Sequence, residues 1–82
     1  MEESRILDAV KALKESGLWF MYLVSLFSSD TLIDLESCEE SLKHIEDLEK
    51  VQDKLEEKDR EFIAKAKSVI IRDLNNFKNG KN

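Results

Sequence analysis

The chain has 82 residues, 41% hydrophobic and 38% charged, with 18 acidic against 13 basic side chains and a formal charge of −5. This length allows one domain, a single cysteine excludes a disulfide framework, and the apolar content is too high for a typical disordered tail. The acidic balance argues against a general nucleic-acid binder.

There is no proline and there are only two glycines, while Glu, Lys, Leu and Asp are abundant. This is the composition of an all-α protein. The longest uncharged run, Ser16 to Ser29, has 14 residues, short of the roughly 20 that a membrane-spanning helix needs. The opening Met1-Glu2-Glu3 lacks the positive region of a signal peptide. The lone Cys38 suits a reducing compartment, so a cytoplasmic location is expected.

In chain order, the spacing of Ile6, Val10, Leu13, Gly17, Phe20, Val24 and Phe27 predicts a first helix over 3–28. Gly17 lies inside this stripe, where it costs roughly 1 kcal/mol against Ala. It implies either the close approach of a neighbouring helix or a kink or break. Over residues 18–27 the apolar side chains point in every direction, the pattern of a helix buried all round. So small a domain struggles to bury one completely. Part of this surface is therefore expected to meet another chain, unless a third helix wraps it.

A second helix is expected over about 34–57, with Cys38, Leu42, Ile45, Leu48, Val51 and Leu55 on its apolar side. Ser37-x-x-Glu40 has the pattern of a capping box, which would start this helix as late as 37. The competing start is Asp30 or Thr31. With the late start, Leu32, Ile33 and Leu35 form a linking segment with its apolar side chains tucked inward. A third helix over about 60–78 carries Phe62, Ile63, Ala66, Val69, Ile70, Leu74 and Phe77 on one face. Residues 79–82 read as a C-cap and a frayed tail. The expected fold is an antiparallel three-helix bundle forming one domain over 1–82, with homodimer packing through residues 18–27. No Gly or Pro separates the second helix from the third. The alternative is a dimeric hairpin with one continuous helix over 34–78, about 60 Å long at 1.5 Å per residue.

Charge is uneven along the chain. Residues 30–61 carry 13 acidic and five basic side chains, and residues 62–82 carry one acidic and five basic. Glu39, Glu46, Glu49, Asp53 and Glu56 would fall along one side of the second helix. This side reads as a solvated face answered by Lys65, Lys67 and Arg72, as an acidic docking surface, or as a mimic of a nucleic-acid phosphate track. His44 has Glu40 four residues before it, the spacing of a surface histidine beside a carboxylate, and no second histidine completes a metal set. Cys38, on the apolar side, reads as a small buried hydrophobe. There is no phosphate-binding glycine loop, no Ser/His/Asp set and no CxxC. No enzyme activity, cofactor or metal is expected.

Trp19, Tyr22, Leu23 and Leu26 have two readings. They are the residue types of binding hot spots, and equally of an ordinary core. The leading functional reading is a non-enzymatic module that binds another protein and inhibits, neutralises or adapts it. Those four residues would anchor the partner, and the acidic side would steer a basic one. The alternatives are a nucleic-acid mimic that blocks a DNA- or RNA-binding protein, and direct nucleic-acid contact through Lys65, Lys67, Arg72, Lys78 and Lys81.

Overall fold

The first expected helix stops at Gly17. In the computed structural model, which describes residues 2–80, four α-helices pack together: α1 (Glu2–Glu15), α2 (Trp19–Phe27), α3 (Leu35–Glu49) and α4 (Glu57–Lys78), with a 3₁₀ turn at Gln52–Lys54. There is no strand among the described residues. The three-helix expectation is corrected to four, because the segment over 3–28 is two helices.

The α1–α2 junction is a Schellman turn. The Leu18 N–H donates to the Leu13 carbonyl at 2.9 Å, the Gly17 N–H donates to the Lys14 carbonyl at 3.2 Å, and Gly17 has φ +77°. These are the two bonds that close a helix whose capping residue sits in the left-handed region. A Cβ on Gly17 would meet nothing within 4 Å. The glycine is there for its backbone angle and not for a close helix approach.

The break resets the rotational phase of the chain. Val10 is buried and Ile6 and Leu13 are half-buried, as the stripe predicts. After the turn, however, Phe20 and Val24 face outward, while Trp19, Leu23 and Leu26 face the core. The stripe does not continue across Gly17.

The link from α2 to α3 tucks only Leu32 inward; Ile33 and Leu35 are exposed. Helix α3 starts at Leu35, between the two expected starts. Its capping box is Asp34 with Ser37, not Ser37 with Glu40. The Ser37 N–H donates to Asp34 Oδ1 at 2.8 Å, and the Asp34 N–H donates to Ser37 Oγ at 3.0 Å. The hydrogen bond from the Ser37 backbone, then that from its side chain, lowers the Asp34 carboxyl below its ordinary value.

Helix α3 ends at Glu49, eight residues before the expected 57. Leu55 and Glu56 are extended, which excludes the continuous helix over 34–78. The turn buries Val51 and Leu55, and the Arg60 guanidinium donates to the carbonyls of Gln52 and Leu55. Helix α4 has 22 residues, about 33 Å at 1.5 Å per residue, against a longest molecular extent of 39 Å. It buries Ile63, Ala66, Ile70 and Leu74 against α3 and α2. Gly80, at φ +72°, donates to the Phe77 carbonyl and closes α4; of the expected tail 79–82, Lys81 and Asn82 lie outside the described residues.

Gly17→Ala is expected to destabilise the fold by about 1–2 kcal/mol, the cost of a left-handed conformation for a residue with a Cβ. The space around it is open, so the cost is conformational. Urea denaturation checks it, with Gly17→Asn expected to fall between the two.

Candidate functional site

Helix α2 contains no charged residue. With only nine residues, it is too short to be stable alone in water, so tertiary packing holds it. Trp19, Leu23 and Leu26 supply that packing on one side. Phe62 of α4 meets Phe20 at 5.7 Å and Phe27 at 5.8 Å between ring centroids. On the other side α2 and its leading residue expose Leu18, Phe20, Met21 and Val24, with Met21 68% exposed and the other three close to half. Together they form an apolar surface without charge at its centre. Lys58, whose Nζ lies 5.8 Å from the Phe20 ring centroid, and Glu56 sit at its edge.

Three of the four side chains proposed from sequence as apolar anchors, Trp19, Leu23 and Leu26, are therefore in the core. Tyr22 is half-buried and stacks on Trp19 at 6.3 Å. The surface lies on the opposite side of the same helix. Sequence reasoning missed Phe20 and Val24 because the stripe, extended through Gly17, assigned them to the inside.

The acidic side does not form one track. Glu39 and Glu46 are exposed on α3, but Glu49 is tied to Lys67 of α4 at 3.0 Å. Asp53 lies in the 3₁₀ turn, and Glu56 is the N-cap of α4 and pairs with Lys58 at 3.8 Å. Of the basic residues, Lys67 is thus spent on Glu49 and Arg72 lies 3.2 Å from Asp73; Lys65 and Lys78 are exposed.

Cys38 is fully buried as a free thiol. Burial, and after it the nearby charges of Asp73, Asp34 and Glu39, raise its pKa. A thiol kept protonated is a poor nucleophile. His44 is exposed. No group of three or more His, Cys, Asp or Glu side chains among the described residues is placed to hold a metal ion. None of the described helices is long and apolar enough to cross a membrane.

The residue missed altogether is Asp59. It is fully buried at the start of α4. Trp19 Nε1 donates to its Oδ1 at 2.9 Å, and Lys14 Nζ donates to its Oδ2 at 2.6 Å. The Glu56 N–H also reaches Oδ2, at 3.3 Å, which makes Asp59 the inner member of the α4 capping box. Burial raises the Asp59 carboxyl, but the hydrogen bonds from Lys14 and Trp19, the Lys14 charge and the Glu56 N–H outweigh it. The net pKa is below the ordinary value. The Lys14 ammonium also lies 5.6 Å from the Trp19 ring centroid. This cluster locks the base of α2 in place and so fixes which of its faces looks outward.

An open groove of about 360 Å³ lies between α1 and α3, with Trp19 and Tyr22 of α2 among its lining. Comparison with known proteins finds no matching family model, curated protein or solved structure.

Asp59→Asn is expected to lower stability by about 1–3 kcal/mol through loss of charge-assisted hydrogen bonds. A carboxyl whose folded pKa is depressed contributes stability above its unfolded pKa, about 3.9. That contribution is lost as the pH falls through the lower folded value. The wild-type protein should thus lose urea resistance as the pH falls below about 4, and Asp59→Asn should lose distinctly less over the same range. Equal acid sensitivity of the two would refute the assignment.

Proposed function

We propose that this protein is a non-enzymatic binding module that docks another protein through the outer face of α2 and occludes or adapts the surface it covers. One observation carries the reading: an uncharged helix keeps Leu18, Phe20, Met21 and Val24 exposed while a buried cluster fixes its orientation. Exposed apolar surface of this kind marks interaction sites. Interface cores are depleted in charge and enriched in aromatic residues and methionine. The chain's charge of −5, with Glu39 and Glu46 exposed on α3, favours approach by a basic partner. A buried free thiol at Cys38 suits a reducing compartment, and the reading places the protein in the cytoplasm. Self-association through the same face is its homomeric form, since two copies of α2 meet without opposed charges.

The test is a double substitution, Met21→Lys with Val24→Lys, at side chains the core does not use. The folded state is expected to keep its circular dichroism and its melting temperature to within a few degrees. A partner captured stoichiometrically by the wild type at low and high salt should be lost by the variant, because apolar docking is insensitive to screening. Retention of that partner by the variant would sink the proposal. A dimer of the pure protein in sedimentation, converted to monomer by the same substitutions, would identify the partner as a second copy.

A further inference from the structure

The groove between α1 and α3 lies apart from the outer face of α2 and has a chemistry of its own. Its apolar lining comes from Ile6, Val10 and Leu13 of α1, Leu48 of α3, and the rings of Trp19 and Tyr22. Ala9 also lines it, and a side chain that small leaves the space between the helices unfilled. Helix α1 contributes one buried residue, Val10. At its ends it is held by polar contacts, Lys14 to Asp59 and Glu2 to Lys50. The groove is thus a gap that α1 spans without closing. Its volume of about 360 Å³ falls within the range of roughly 300–1,000 Å³ of small-molecule sites.

Lys50 Nζ reaches Glu2 Oε1 at 2.9 Å and Asp47 Oδ1 at 3.4 Å, so both carboxylates of the groove are already paired. Among the described residues no hydrogen bond or ion pair is made by the Arg5 guanidinium, the His44 ring or the Tyr22 hydroxyl. All three are groups that can donate. These three unspent donors can each meet an acceptor, and a planar guanidinium matches the two oxygens of a carboxylate. From Arg5 to Leu13 the lining runs about 12 Å along α1 at 1.5 Å per residue, the reach of a medium-length apolar chain.

We propose that this groove binds a small amphipathic carboxylate, with its head at Arg5 and His44 and its apolar body along Ile6, Val10, Leu13 and Leu48. The site does not depend on the docking face of α2, and its failure and the failure of that reading are separable.

Trp19 lines the groove and is the only tryptophan in the chain, so its emission reports occupancy directly. The probe is decanoate, titrated below its micelle concentration, with decyltrimethylammonium as a chain of equal length and opposite head charge. The expected result is a saturable, one-to-one change in emission with decanoate, and binding at least about tenfold weaker for the cationic chain. Arg5→Gln should weaken decanoate roughly tenfold, as loss of one charge-assisted contact does. Ala9→Trp, which fills the groove from an exposed position, should abolish binding detected by calorimetry while circular dichroism stays unchanged. Met21→Lys with Val24→Lys should leave it intact. Absence of saturable binding, equal affinity for the two chains, or undiminished binding by folded Ala9→Trp would each overturn the proposal.

Discussion

A single buried carboxylate organises this fold. Asp59 lies at the first turn of α4, yet its partners come from the end of α1 and the start of α2, 45 and 40 positions away in sequence. A carboxylate without partners at full burial would be expensive. Here each oxygen is met by a donor, and no buried side-chain nitrogen or oxygen among the described residues lacks a partner. The same group caps α4, anchors the Trp19 ring and holds Lys14. Three helices therefore converge on one residue, and their mutual orientation follows from its geometry.

The placement of α2 is a consequence of that anchor. Nine residues without a charged side chain or a side-chain cap have little helical stability of their own. The helix persists because Leu23 is fully buried and Trp19 and Leu26 nearly so, each such side chain contributing roughly 1.5–3 kcal/mol. Its opposite side is packed only in part, where Phe20 meets Phe62 of α4. Leu18, Phe20 and Val24 stay close to half exposed and Met21 mostly so, an apolar surface of the kind that marks interaction sites. The outer face and the core of α2 are two halves of one packing arrangement.

The acidic residues show how architecture redistributes a linear charge pattern. On an uninterrupted helix, Glu39 to Glu56 would make one negative side. The end of α3 at Glu49 and the 3₁₀ turn divide them, and Lys67 takes up Glu49. Ion pairs open to solvent, as these are in part, contribute little stability. Their effect is to dissolve a continuous anionic track into separate, partly neutralised groups, and the apolar face is the more coherent feature.

What the sequence by itself determined is local: the all-helical class, the buried faces of α3 and α4, and the burial of Cys38. These follow from composition and from apolar spacing within a single helix, and need no knowledge of distant residues. Gly17 also carried its signal locally, since a glycine just past Lys14 and Glu15 suits a helix C-cap, but an apolar stripe that ran on through it masked the stop. The turn at 50–56 was hidden in the same way. Leu48, Val51, Leu55, Asp59 and Ile63 are all buried at helical spacing, so the period runs through a break that it cannot reveal. Only the tertiary structure decided the rotational phase of α2 after Gly17, the burial of Asp59 within a run that reads as solvated charge, and the opening between α1 and α3. Each depends on helices brought together across thirty or more positions, and neither periodicity nor capping preference reaches that far along the chain.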